Sequence, residues 1–244
     1  MPVMGGGIVA DPRRQRHGVL SSGSTAFSPL SLSPSLWAPF RALGLANNDP
    51  IGTGTDTSGN GNDFTAAGGA RPTFKTNVQN GLSAALFDGV ANFMDSVAFD
   101  RSQPETIFIV GKQTALATQS MFDAPDTVNR GRLFFYDAGA PFEPCTMYSG
   151  AGLTNAAATA AAWHIFTLQY TGASSKFRVD GGNEQTGDAG ANASVAGMRI
   201  GLGGGASTDY FAGYIGEVLS FPAALSAGNI VLVETYLNTL WAIY

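Results

Sequence analysis

Glu105, Glu143, Glu184, Glu217 and Glu234 are the glutamates of this chain, and their spacing works against acid–base catalysis. A retaining glycosidase holds two carboxyl groups about 5–5.5 Å apart, which one strand supplies through a run such as Glu-x-Asp-x-Glu. No such run occurs. Glu217 falls within the strand-like stretch from Ile215 to Leu219 and is expected to make a structural hydrogen bond or ion pair. His164 alternates with Phe166, Leu168 and Tyr170, the pattern of a satisfied core or sheet-edge histidine. With His17 far away in sequence and Cys145 the single cysteine, local spacing assembles no zinc set. A Ser-His-Asp triad would lack its Gly-x-Ser-x-Gly elbow. The expectation is a chain without catalytic residues, and not an enzyme.

Two other chemistries have residues to consider. Asp56, Ser58, Asn60 and Gly61 partly match a looped calcium site, in which alternate oxygens converge around a glycine turn. Its twelfth position is Ala67 instead of a bidentate acid. Asx side chains bonding back to their own turn explain the same residues without metal. No cofactor is therefore expected, and Asp56, Ser58 and Asn60 are the ligands to test if calcium binds. Sugar rings present apolar faces that stack on aromatic side chains. Tyr136, Tyr148 and Tyr210 are the candidate glycan-binding residues, whereas the phenylalanines read as core and Trp37 as the anchor of a first strand.

Composition narrows the partners. The 244 residues carry 13% charged side chains, 32 glycines and a net charge of −5, without the basic stripe of a nucleic-acid binder. No apolar run approaches the ~20 residues needed to cross a bilayer, so no membrane insertion is expected. One cysteine leaves no internal disulfide, and stability must come from packing. The first residues lack the basic-then-apolar order of a signal peptide, so export by such a signal is not expected.

Residues 1–39 contain a Gly triplet, Arg13, Arg14 and Arg16, Ser-rich stretches and spaced prolines, with no apolar period. They read as an extended docking arm whose arginines meet acidic groups on a partner. Residues 40–244 read as one β domain. Short apolar pieces are punctuated by Asp49-Pro50, Gly52-Thr-Gly54, Ser58-Gly-Asn-Gly-Asn62 and Asp88-Gly89. Thr106–Lys112 is apolar on both alternate sets, as a strand buried between two layers would be. In Lys176–Asp180, Phe177 and Val179 oppose three charged residues, a half-exposed strand. Ser226 is placed to N-cap a helix whose stripe is Ile230, Val233, Leu237, Leu240 and Trp241. Ten or more strands with one helix predict an all-β fold: a two-sheet antiparallel jelly-roll sandwich with a C-terminal helix and an N-terminal arm.

The order Asp56-Thr-Ser-Gly-Asn-Gly-Asn-Asp63, Arg71-Pro72, Asn80-Gly81, Phe87-Asp-Gly89, the Thr106 strand, Trp163-His164, Asp180-Gly181 and Ile215-Gly-Glu-Val218 resembles the concanavalin A-like, laminin-G-type domain. The resemblance spans roughly Ser33 to Tyr244. It implies a jelly roll of the kind used by carbohydrate-binding modules, adhesins and virion proteins, and little about substrate. The favoured expectation is a non-enzymatic virion structural protein, a phage capsid decoration or tail or fibre component. It would be assembled in the host cytoplasm as a homo-oligomer, with its arm docked on other virion proteins and its head exposed for host glycans. The alternatives are a carbohydrate-binding module of a bacterial surface protein and, third, a polysaccharide hydrolase.

Overall fold

The computed structural model describes residues 1–2, 26–126, 131–135, 144–159, 161–204 and 208–244. Arg13, Arg14, Arg16, His17, Tyr136 and Glu143 lie outside the described residues, and so does most of the expected arm. The chain begins with strands β1 (Leu36–Pro39), β2 (Thr53–Gly54), β3 (Phe64–Thr65), β4 (Thr73–Gln79) and β5 (Leu82–Asp88). It continues through β6 (Met94–Ser96), β7 (Glu105–Gln113), β8 (Gln119–Asp123), β9 (Arg132–Phe135), β10 (Cys145–Tyr148) and β11 (Gly152–Asn155). The last strands are β12 (His164–Tyr170), β13 (Ser175–Val179), β14 (Gly182–Gly187), β15 (Arg199–Ile200) and β16 (Ala212–Phe221), followed by helix α1 (Ala227–Trp241).

These strands form two antiparallel sheets. The first runs β14-β13-β12-β7-β16-β5-β4, with β1 paired to the second half of β16. The second runs β11-β10-β9-β8-β15-β6-β3-β2. Because β1 belongs to the first sheet, the sandwich begins before residue 40, and Trp37 sits in its first strand.

The strand expected at the centre is there: β7 lies between β12 and β16. Its Ile107 and Ile109 enter the core between the sheets, and its Phe108 and Val110 enter a second core beneath α1. Each such side chain contributes roughly 1.5–3 kcal/mol on burial, so the helix seals one outer face with a large hydrophobic term. Asn80-Gly81 and Asp180-Gly181 link β4 to β5 and β13 to β14. Both residues of each turn have positive φ, 45° and 76° in the first and 53° and 69° in the second. That is the two-residue geometry whose twist matches paired strands.

Helix α1 starts where its cap requires. Ser226 Oγ accepts the Asn229 N–H at 3.2 Å, and the helix stops at Ala242, which has φ 49°. Its buried stripe is Ile230, Val233, Leu237 and Trp241 as expected, but Leu240 is half-buried and the buried set includes Glu234. Glu234 is tolerated there because Arg178 of β13 pairs with it at 2.9 Å and Thr167 donates to it at 2.9 Å. Gly216 marks the register shift in β16, and a Cβ there would lie 2.3 Å from the Trp241 ring. Among the described residues no helix is long and apolar enough to cross a membrane.

Candidate functional site

Side-chain alternation gives the second sheet two unlike faces. Met94, Ile200, Phe122, Leu133 and Met147 come from five neighbouring strands, and all are fully buried in the core between the sheets. Their chain neighbours Asp95, Arg199, Asp123, Arg132 and Tyr148 therefore project from the opposite face, since strand side chains alternate with period two. Cross-strand pairing places them in one row: Asp95 opposite Arg199, Arg199 opposite Asp123, and Arg132 opposite Tyr148. Thr65 opposite Asp95 extends the row toward β2.

The row is held by charge-assisted contacts. Arg199 makes a bidentate pair with Asp95 at 2.6 and 2.7 Å, and its guanidinium lies 4.8 Å from the Phe93 ring centroid. Hydrogen bonding to Asp95 raises the Arg199 pKa against the opposing effect of burial, and the charges of Asp95 and Asp123 add to that rise. Arg132 stands 3.7 Å from Asp123 and 3.8 Å from Asp209. Asp123 is fully buried and accepts the N–H groups of Ala124 and Gly204, both at 2.8 Å.

Behind the row, Tyr170 donates to the Arg132 carbonyl at 2.8 Å, and burial pushes its phenol pKa well up. Arg101, also buried, spans Glu105 with bonds of 3.0 and 3.1 Å. Burial opposes the Arg101 charge, and the Glu105 carboxylate outweighs it, so the pKa is raised. These contacts fix β9 from within the core. Asp123 and Arg132 are buried, so the accessible part of this face is Asp95 and Arg199 beside Phe93, with Tyr148 on β10, all half-exposed. Such a surface can hydrogen-bond hydroxyls and stack on apolar ring faces.

Tyr148 lies opposite Arg132 at one end of this row, and Tyr210 bridges Leu202 just after β15 at the other. Sequence reasoning missed Asp95, Asp123, Arg132, Arg199 and Phe93. The signal was present as an apolar residue beside a polar one in each short strand, but its meaning depended on which strands become neighbours.

The calcium candidates go elsewhere. The Asp56 carboxylate accepts from Trp37 N at 2.9 Å, Ser58 N at 2.8 Å, Ser58 Oγ at 2.8 Å and Asn62 N at 2.9 Å. Four donors fill the roughly four lone-pair sites of a carboxylate, so the residues do not fit a cation and the loop is held by Asx bonding. Ser58 and Asn60 instead line an open cleft of about 770 Å³. His164 is a satisfied core residue: Nδ1 lies 2.7 Å from Asp180 Oδ2, and Nε2 lies 3.0 Å from Thr159 N and O. Glu217 is fully buried and accepts from Trp37 Nε1 at 2.7 Å, Arg41 Nε at 3.0 Å and Trp241 Nε1 at 3.2 Å. Cys145 is buried and free, and burial pushes its thiol pKa up, away from reactivity. Among the described residues no three His, Cys, Asp or Glu side chains gather as a metal-binding group.

No family model and no curated protein matches this sequence. Solved structures do match in fold. Domain 4 of AbnA, an extracellular GH43 arabinanase from Geobacillus stearothermophilus solved in complex with arabinotriose, aligns with a TM-score of 0.56 and 14% identity. The alignment covers 81% of this chain and 96% of that domain. A Trypanosoma rangeli sialidase in complex with 2,3-difluorosialic acid aligns with a TM-score of 0.60 and 9% identity, over 95% of this chain and 36% of the sialidase. The botulinum neurotoxin serotype G binding domain gives a TM-score of 0.59 and 11% identity, over 84% of this chain and 51% of that one. The chain thus spans about half of the toxin domain and about a third of the sialidase. At these identities the likeness is one of fold, a two-sheet β-sandwich. None of the three is a virion protein.

Proposed function

We propose that this chain is a carbohydrate-binding β-sandwich that holds a neutral oligosaccharide on the outer face of the second sheet and does not cleave it. The observation that carries the reading is the half-exposed Tyr148, Arg199 and Asp95 of one outward row, braced by the buried Arg132 and Asp123 between them and backed by a fully apolar inward row in the same strands. The solved complex of domain 4 of the arabinanase with arabinotriose supports it, because nearly the whole of that domain aligns with this chain. Neutral sugar is favoured over acidic sugar by the count of charges. Arg132 and Arg199 are already engaged by Asp95, Asp123 and Asp209, three carboxylates against two guanidiniums. The same engagement favours binding over hydrolysis, since those carboxylates are tied to protein partners on a rigid row.

Placement on a virion through Arg13, Arg14 and Arg16 is a separate proposal about residues outside the described part, and sugar binding by the head does not depend on it. Calorimetric titration of the chain with arabinotriose and a panel of neutral and sialylated oligosaccharides tests the reading. Saturable binding of a neutral ligand, weakened at least about tenfold in Arg199→Ala and Tyr148→Ala, is expected. Binding confined to acidic sugars, or steady release of new reducing ends, would overturn it.

A further inference from the structure

The open cleft of about 770 Å³ lies apart from the outward row and shares no residue with it. It is built where the β2–β3 connection meets the segment before β1, the chain after β6 and the chain after β16. Its floor is rigid because the Asp56 carboxylate gathers the loop from Ser58 to Asn62, as described above.

The hydrogen-bond accounting of its polar groups is one-sided. Asn60 Nδ2 donates to the Pro34 carbonyl at 2.9 Å and to Ser58 Oγ at 3.0 Å, and Asn62 Nδ2 donates to the Ser35 carbonyl at 2.7 Å. A carbonyl only accepts, so each amide must turn its nitrogen toward the backbone and keep its oxygen for something else. Asp100 Oδ1 accepts the Ser102 N–H and hydroxyl at 2.8 and 2.6 Å. Asn60 Oδ1, Asn62 Oδ1 and Asp100 Oδ2 make no hydrogen bond among the described residues, although Asn62 is only 8% exposed. These oxygens are open to solvent, so a ligand hydroxyl would take the place of water on them.

Among the described residues no lysine, arginine or histidine lines the cleft, and its walls include the half-buried Phe99 with Leu30 and Pro222. Three acceptors, no cation and an aromatic wall describe a ligand that donates hydrogen bonds and has an apolar face. We infer that this cleft is a second saccharide site, taking a neutral sugar ring whose hydroxyls donate to Asn60, Asn62 and Asp100 while its C–H face rests on Phe99. Anionic sugars are disfavoured by the Asp100 carboxylate. Two weak sites on one rigid head raise the avidity for a polysaccharide that reaches both.

The test is a two-dimensional NMR titration of the isotope-labelled chain with arabinotriose, cellotriose and, as the anionic control, glucuronic acid. The expected result is saturable shifts of the Asn60, Asn62, Phe99 and Asp100 amides with a neutral trisaccharide. They should be weakened at least about fivefold in Phe99→Ala and in Asp100→Ala, and unchanged in Arg199→Ala. Asp100 is exposed, so its variant keeps the test valid if Phe99→Ala unfolds. Shifts confined to Arg199, Tyr148 and their neighbours would overturn the cleft and leave the outer-face reading standing. Shifts confined to the cleft would do the reverse. Equal response to glucuronic acid, or no cleft shift with either trisaccharide at millimolar concentration, would overturn the inference.

Discussion

The two sheets have similar strand counts and opposite fates at their outer faces. The first sheet's outer face is closed by α1, and an acid beneath the helix, Glu217, is clamped by two indole N–H groups and a guanidinium. The second sheet's outer face has no such helix among the described residues, and its outward row is polar and aromatic. A covering helix turns a face into core; on the second sheet the outward charges pair with one another instead. The same kind of residue, a carboxylate beside an arginine, is therefore sealed under a helix on one face and, in the function proposed above, part of the sugar site on the other.

That contrast can be broken by mutation. The largest effect is expected for Glu217→Ala, which leaves Trp37, Trp241 and Arg41 without their shared acceptor. Loss of one partner from a buried charged cluster costs about 3–5 kcal/mol, measured by urea unfolding. Gly216→Ala should cost about 1–3 kcal/mol in the same assay, because the new methyl meets the Trp241 ring at the register shift of β16.

On the other face the order of effects reverses. Arg199→Ala should cost less than about 1 kcal/mol of stability, since its pair with Asp95 is partly exposed, while sugar affinity falls at least about tenfold. A stability loss as large as that of Glu217→Ala would make the row structural and end the comparison.

The smallest effect should come from the turn after β5. Partial burial acts to raise the Asp88 pKa, and the N–H groups of Ala91, Val90 and Asn92 outweigh it, so the folded value is lowered. A lowered carboxylate pKa gives stability that is present above the unfolded value of about 3.9 and is lost as pH falls through the folded value. The melting-temperature gap between the parent chain and Asp88→Ala should be full near neutrality and narrow below about pH 4. A gap that widens in acid would show that the N–H cage does not act through charge.

Much of the architecture was legible in the residues. Thr106–Lys112 carried apolar groups on both sides and proved to be the central strand with a core on each face. Ser226 and the Ile230–Trp241 stripe fixed the helix to within a residue. Glu217 and His164 were read as structural, and their partners bear that out in contact terms. The site was less legible. Tyr148 and Tyr210 were singled out as aromatics, yet Arg132, Arg199 and Asp95 passed as ordinary surface charges. The calcium-like loop was recognised as a feature, but its neighbours across the cleft, Phe99 and Asp100, come from a distant stretch of chain. The virion expectation rested on arm residues that lie outside the described part.

Local sequence determined what each segment would become, because alternation, caps and turn residues act over a few neighbours and need no partner. It set the strands, the two-residue turns and the helix. Only the tertiary structure decided which strands lie side by side, and so which single polar residues from β6, β15, β8, β9 and β10 line up on one face. That choice depends on contacts between residues tens to more than a hundred positions apart, where burial of the inward row selects the register and the outward row follows from it.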